Sequence, residues 1–150
     1  PFNAFQFLQG METLPLRMRA HCENAVKVAE FLSSHNAVER VIYPSLMDDK
    51  LKARADAVMN GGYGALMGFE LNAGAEAGKK FIDALQMLYH VANIGDARSL
   101  AIHPASTTHS QLSPEDQMAS GVTPGYVRLS VGIEHIDDIL ADLEQALKQV

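Results

Sequence analysis

Near the end of the chain the apolar period switches from two to 3.6 within about ten residues. Over Tyr126–Ile133, Val127, Leu129 and Val131 alternate with Arg128 and Ser130, the pattern of a strand with one face in a core. Just after it, Ile136, Ile139, Leu140, Leu143 and Leu147 recur at helical spacing, which predicts a helix over 136–149 with a full apolar face. A one-faced strand followed closely by a one-faced helix calls for a sheet with helices packed on it.

The remaining periodicity fits that plan. Residues 2–34 read as helix broken once between Gly10 and Pro15, with Thr13 capping the second segment. Its apolar stripe is expected at Leu14, Met18, Cys22, Val26, Ala29 and Leu32. Val38–Tyr43 reads as a short strand ended by Pro44, and the polar stretch 45–58 as a short helix at most. A glycine turn, Asn60-Gly61-Gly62-Tyr63-Gly64, precedes alternation at Ala65, Met67, Phe69 and Leu71, a further strand. Residues 75–87 predict a helix with Ala77, Phe81, Leu85 and Leu88 inward. Tyr89–Ile94 and Ser99–Ile102 read as strand pieces around Gly95-Asp96-Ala97, and Ser113 caps a short helix opening on Pro114. The order implies an α+β two-layer sandwich, a mostly antiparallel sheet with helices on one face. The longest aperiodic stretch, 103–125, is where function is expected.

Composition excludes several classes. Twelve basic against eighteen acidic residues give a net charge of −6, and Lys79-Lys80 is the only adjacent basic pair, so no nucleic-acid partner is expected. No apolar run approaches the ~18–20 residues needed to span a bilayer, so no membrane partner is expected either. With Cys22 as the only cysteine, an internal disulfide is impossible and a cysteine-based zinc cage has no ligands. These features fit a cytoplasmic protein.

Few side chains present themselves for chemistry. Arg128 breaks the apolar alternation of its strand and points to the opposite face, either as a solvated arginine or as a bidentate holder of a carboxylate. His21, His35, His90, His103, His109 and His135 lack metal-ligand spacing and read as hydrogen-bonding groups. Gly61-Gly62-Tyr63-Gly64 lacks phosphate-loop spacing, Cys22 reads as a small core residue, and Asp48-Asp49 as a solvated turn. No complete set of acid, base and nucleophile can be assembled.

The collinear order of longer motifs adds a resemblance. PFNAFQFLQGMETLPLRMRAHCENAVKVAEFL is similar to the helix that opens the C-terminal domain of the pyridoxal-phosphate enzymes of cysteine and methionine metabolism. NIGDARSLAIHPASTTHSQLS resembles that family's active-site loop, and GYVRLSVGIEHIDDILADLEQAL its closing strand and helix. With GGYGALMGFELNAG between them, the resemblance covers nearly the whole chain. The sulfhydrylases acting on O-acetylhomoserine are the nearest branch. Relatives acting on O-succinylhomoserine, cystathionine synthases and methionine gamma-lyases are the neighbouring alternatives. A non-catalytic small-molecule-binding domain is the rival of another class.

The resemblance implies a pyridoxal 5'-phosphate cofactor joined to a lysine in a large preceding domain. None of Lys27, Lys50, Lys52, Lys79, Lys80 and Lys148 stands in the family's Ser-x-Thr-Lys context. Residues 1–150 are therefore expected to be a C-terminal domain, inactive alone. The abrupt apolar start at Pro1, Phe2, Phe5, Phe7 and Leu8 agrees with a chain cut from an upstream domain. Carried over by motif, Arg128 matches the arginine that grips the substrate α-carboxylate. Asn93 matches a position beside that carboxylate that is serine in many relatives, and Thr108 a threonine near the substrate pocket. No catalytic, cofactor-binding or metal-binding residue carries over. The implied partners are an amino-acid ester, sulfide and further copies of the whole subunit.

Overall fold

The closing strand and helix pack together on one sheet in the computed structural model, which describes residues 1–150. The strands are β1 (Val38–Ile42), β2 (Leu66–Leu71), β3 (Tyr89–His90), β4 (Leu100–Ile102) and β5 (Tyr126–Ser130), in the spatial order β1-β2-β5-β4-β3. All neighbouring pairs are antiparallel except β3 with β4. The helices are α1 (Phe2–Glu12), α2 (Leu14–Ser33), α3 (Asp49–Val58), α4 (Gly74–Ala84), α5 (Pro114–Ala119) and α6 (Ile136–Leu147). This is the expected α+β architecture, with one parallel pair at the sheet's edge.

Register sorts the side chains into two faces. Met67 lies opposite Leu129, Leu129 opposite Ala101, and Phe69 opposite Val127. These residues join Val28 and Leu32 of α2, Phe81 of α4, and Ile139, Leu143 and Leu147 of α6 in one core. Phe69 and Phe81 meet edge to face with ring centroids 5.4 Å apart, a favoured aromatic geometry. The other face carries Gly68, Glu70, Tyr126, Arg128 and Ser130, because successive strand residues point to opposite sides.

The face that α2 buries keeps Ala29 and Leu32 of the expected stripe and departs from the rest. Leu14 and Met18 stay about 40% exposed and Cys22 and Val26 are half-buried, whereas His21, Ala25, Val28, Ala29 and Leu32 are buried. Turning the helix by one residue, about 100°, presents two alanines to the sheet and brings polar groups to backbone that needs partners. The His21 Nδ1–H donates to the Val131 carbonyl at 2.6 Å, and the Asn24 amide donates to the carbonyls of Gly132 (3.1 Å) and Glu134 (2.9 Å). Thr13 also departs from expectation. Its side chain caps no backbone N–H, and its hydroxyl accepts from Arg17 Nε instead.

Other segments follow local chemistry. The polar stretch 45–58 forms a regular helix, α3, opened by the Asp48 carboxylate, which accepts from Leu51 N–H at 2.9 Å. Helix α4 stops at Ala84, so Leu85 and Leu88 lie beyond it, Leu88 still buried. The glycine run leads into β2, where the Tyr43 hydroxyl donates to the Gly64 carbonyl at 2.8 Å. Burial pushes that phenol's pKa up to about 12.

Asp142 of α6 ties the helical layer to the start of β3. Its buried carboxylate accepts from the N–H groups of Gln86 (2.9 Å), Met87 (2.8 Å) and Leu88 (2.9 Å), and from the Gln145 amide at 2.9 Å. Burial pushes this carboxyl upward, but the donors together outweigh it and hold it below the ordinary carboxylate value. A depressed folded-state pKa contributes stability above the unfolded-state value, and that stability is lost as pH falls through the folded-state value. Asp142→Asn is expected to destabilise the chain at pH 7 by about 1–3 kcal/mol, since an amide presents one acceptor where the carboxylate presents two. The gap from the parent chain should begin to narrow below about pH 4 and be smaller at pH 3 than at pH 7. Urea unfolding at pH 7 and pH 3 is the measurement.

Candidate functional site

Arg128 stands at the centre of the face the helices leave open. Gly68 of β2 lies opposite it on one side and Ile102 of β4 on the other. Gly68 has no side chain for a physical reason: a Cβ there would come within 2.3 Å of the Tyr126 ring. Tyr126 is half-buried, and its phenol is raised by burial; the charge of Glu70 adds to the rise and that of Arg128 opposes it. Glu70, 7% exposed, accepts from Arg40 Nε at 2.5 Å and from the Thr123 hydroxyl. The face thus holds a neutralised acid on one side of Tyr126 and a half-buried arginine on the other.

No carboxylate of the chain pairs with Arg128. Its one hydrogen bond runs from Nη2 to the Asn93 carbonyl at 3.2 Å. A guanidinium has five N–H donors, so most of this one's capacity is open. The structure therefore brings together Arg128 and Asn93, two of the three residues singled out in the sequence. The Asn93 main chain holds the arginine, and its exposed side-chain amide makes no hydrogen bond within the chain. Thr108 is exposed and its hydroxyl bonds Nδ1 of His109 at 2.9 Å; it shares no hydrogen bond with the other two.

The stretch 91–99 is laced to β5 and its continuation at every second residue. Asn93 meets Arg128, Gly95 N–H donates to Ser130 Oγ at 3.2 Å, and Ile133 N–H donates to the Ala97 carbonyl at 2.9 Å. At the last rung the buried Ser99 gives its N–H and hydroxyl to the Glu134 carboxylate, at 2.6 and 2.9 Å, and its oxygen accepts from Gly132 N–H at 2.8 Å. Sequence reasoning passed over Ser99, Ser130 and Glu134. Their spacing carries no periodic signal, and only their place inside the motifs NIGDARSL and VRLSVGIEH could have flagged them. On the same face, Arg98 lies over the Tyr89 ring with its guanidinium carbon 4.7 Å from the centroid.

His103 fixes the next loop. It is 1% exposed, its Nε2–H donates to the Pro124 carbonyl at 2.7 Å, and Nδ1 bonds Ser106 Oγ at 2.8 Å. The His109 main-chain carbonyl accepts from the Gln117 amide at 2.8 Å. No group of three or more His, Cys, Asp or Glu residues could hold a metal ion, and no helix is long and apolar enough to cross a membrane.

A family model described as Cys/Met metabolism PLP-dependent enzyme matches residues 1–148. The chain belongs to this family. It is 60% identical to the O-acetyl-L-homoserine sulfhydrylase of Leptospira meyeri over all of its own length and 34% of that protein's. It is 50% identical to O-acetyl-L-homoserine sulfhydrylase 1 of Thermus thermophilus over 98% of its own length and 35% of that protein's. A crystal structure from Campylobacter jejuni described as an O-acetylhomoserine (thiol)-lyase, which carries a pyridoxyl-lysine phosphate, superposes with a TM-score of 0.91 at 42% identity. It covers 99% of this chain and 35% of that one. The chain thus spans about a third of the length of the relatives it matches.

The chain's lysines stand apart from Arg128. All six lysines sit in α2, α3 and α4 or just past α6, none on the open sheet face or in 91–99.

The last rung depends on Gly132. A Cβ there would come within 2.2 Å of Glu134 Oε2 and 2.5 Å of the backbone of Arg98 and Ser99. Gly132→Ala is expected to destabilise the chain by about 1–3 kcal/mol through overpacking. It should also speed amide hydrogen exchange across residues 93–99 more than in the helices. Exchange read by mass spectrometry checks this; unchanged protection of 93–99 would contradict the lacing described above.

Proposed function

We propose that residues 1–150 form the C-terminal, substrate-carboxylate-binding domain of a pyridoxal-phosphate-dependent O-acetylhomoserine sulfhydrylase. The observation that carries this reading is Arg128: a half-buried guanidinium on the open sheet face, held by a single carbonyl and facing no acid of its own chain. Such a group takes a carboxylate through two parallel hydrogen bonds and so fixes the rotation of an amino-acid substrate. Asn93 supplies a second donor from its free amide, and Thr108 is the third substrate-side residue by its place in the STTHS motif. When bound, the cofactor stabilises negative charge on the substrate carbons, so that acetate leaves the γ-carbon and sulfide replaces it. This chain's part is to bind and orient the α-carboxylate. The identity to two sulfhydrylases supports that branch. The free thiol of Cys22 fits a reducing, cytoplasmic setting.

The test uses the whole polypeptide of which these residues are part, assayed for homocysteine formation from O-acetylhomoserine and sulfide. Arg128→Ala should lower kcat/KM by roughly 2–4 kcal/mol in activation free energy. Arg128→Lys should recover part of it, since an ammonium lacks the fork that matches a carboxylate. Parent kinetics in Arg128→Ala would return the arginine to the ordinary residues of a sheet surface.

We further propose that the domain works within a homo-oligomer. Helix α1 buries none of its residues, and Phe2, Phe5, Phe7, Leu8 and Met11 are each more than half exposed. A contiguous apolar patch of that kind tends to be covered by another surface. The 150-residue chain in isolation is expected to self-associate, as a two-fold pair over α1. Sedimentation over a hundredfold range of concentration is the measurement, and Phe5→Asp with Phe7→Asp should return it to monomer.

A further inference from the structure

We propose that Glu134 and Ser99 are positioning residues for Arg128, acting on it through the laced stretch 91–99. The inference rests on reading Arg128 as the carboxylate anchor and adds what keeps that anchor aimed. A long arginine side chain held by one 3.2 Å bond is only as fixed as the carbonyl that holds it. That carbonyl belongs to Asn93, an exposed residue in a stretch without helix or strand. Its middle rungs are neutral bonds, Gly95 to Ser130 and Ile133 to Ala97. The charge-assisted rung is the last one, where one carboxylate takes both the N–H and the hydroxyl of Ser99 at 2.6 and 2.9 Å. Hydrogen bonds to an ionised acceptor are roughly twice as strong as neutral ones, so the lacing is anchored most firmly at its far end.

The ground under that anchor is itself held from the other side. His21 and Asn24 of α2 bind the carbonyls of Val131, Gly132 and Glu134. The turn at 131–134 therefore sits between the helical layer and the substrate-side stretch, its carbonyls turned to one and its Glu134 carboxylate to the other. Removing that carboxylate leaves Ser99 with two donors and no acceptor at a position 1% exposed. The stretch must then shift to find partners, and the Asn93 carbonyl shifts with it. Arg128 keeps its charge but loses its aim. An anchor that holds the carboxylate equally in ground and transition states reports such a loss in KM and not in kcat.

The experiment is a double-mutant cycle in the cofactor-loaded, full-length enzyme, with KM for the amino-acid ester and kcat measured separately. Glu134→Ala should raise KM about tenfold with kcat within about twofold, while Glu134→Gln, which keeps one acceptor, should recover most of the loss. In an Arg128→Ala background, Glu134→Ala should add less than about twofold, because residues acting through one another are not additive. Should Glu134→Ala fail to fold, Ser99→Ala keeps the Ser99 N–H bond to Glu134. It should show the same coupling to Arg128 with a KM effect of about threefold. Equal KM effects in both backgrounds, or a fall in kcat alone, would overturn the positioning role and leave Arg128 as the anchor. An Arg128→Ala enzyme with unchanged KM would overturn the anchor itself and this role with it.

Discussion

Strand β5 lies between β2 and β4 with Leu129 opposite both Met67 and Ala101, and Arg128 opposite both Gly68 and Ile102. Both faces of the sheet depend on that register. A slip of one residue would turn Val127 and Leu129 to the open side and drive the Arg128 guanidinium among Phe69, Phe81 and Leu143. An unpaired charge there would cost several kcal/mol, and burying Val127 and Leu129 contributes about 1.5–3 kcal/mol each. The core thus sets the register, and the register sets where Arg128 points. Gly68 leaves room beside Arg128 for the Tyr126 ring, which any larger residue there would meet.

Side-chain bonds to main chain do the finer placing. Asp142 gathers the N–H groups ahead of β3, His21 and Asn24 hold the carbonyls after β5, and Glu134 holds the root of 91–99. Every buried side-chain nitrogen and oxygen has a partner, so each of these clamps is satisfied. Helix α1 is built differently. None of its side chains is buried, and beyond its local helical bonds it is held by the Arg17 guanidinium of α2, which donates to the Gly10 carbonyl. The polar open face and the apolar α1 are the two surfaces on which the proposed function rests.

The alternation Val127-Arg128-Leu129, the helical spacing of 136–147 and the cap at Ser113 each rest on contacts within a few residues. Elements of that kind were legible along the chain, as was family membership through collinear motifs. The face of α2 ahead of Ala29 was not. Cys22 and Met18 look as apolar as Ala25 and Val28, and what turned the helix was a carbonyl 110 residues away from His21. The carbonyl of Asn93 was invisible for a related reason: a residue's identity says nothing about its main-chain oxygen.

The sequence by itself determined the α+β class, the order of the strands and helices, and the placing of Arg128 on the face its apolar neighbours avoid. Local periodicity and steric preference are enough for those, since they act between residues close along the chain. Only the tertiary structure decided that β3 runs parallel to β4, that 91–99 is laced to β5, and that Arg128 finds the Asn93 carbonyl and no acid. The first joins residues 11 apart along the chain, and the other two join segments 33 to 36 residues apart. Which of many possible partners each polar group takes is settled only when the packed core has brought them within hydrogen-bond distance.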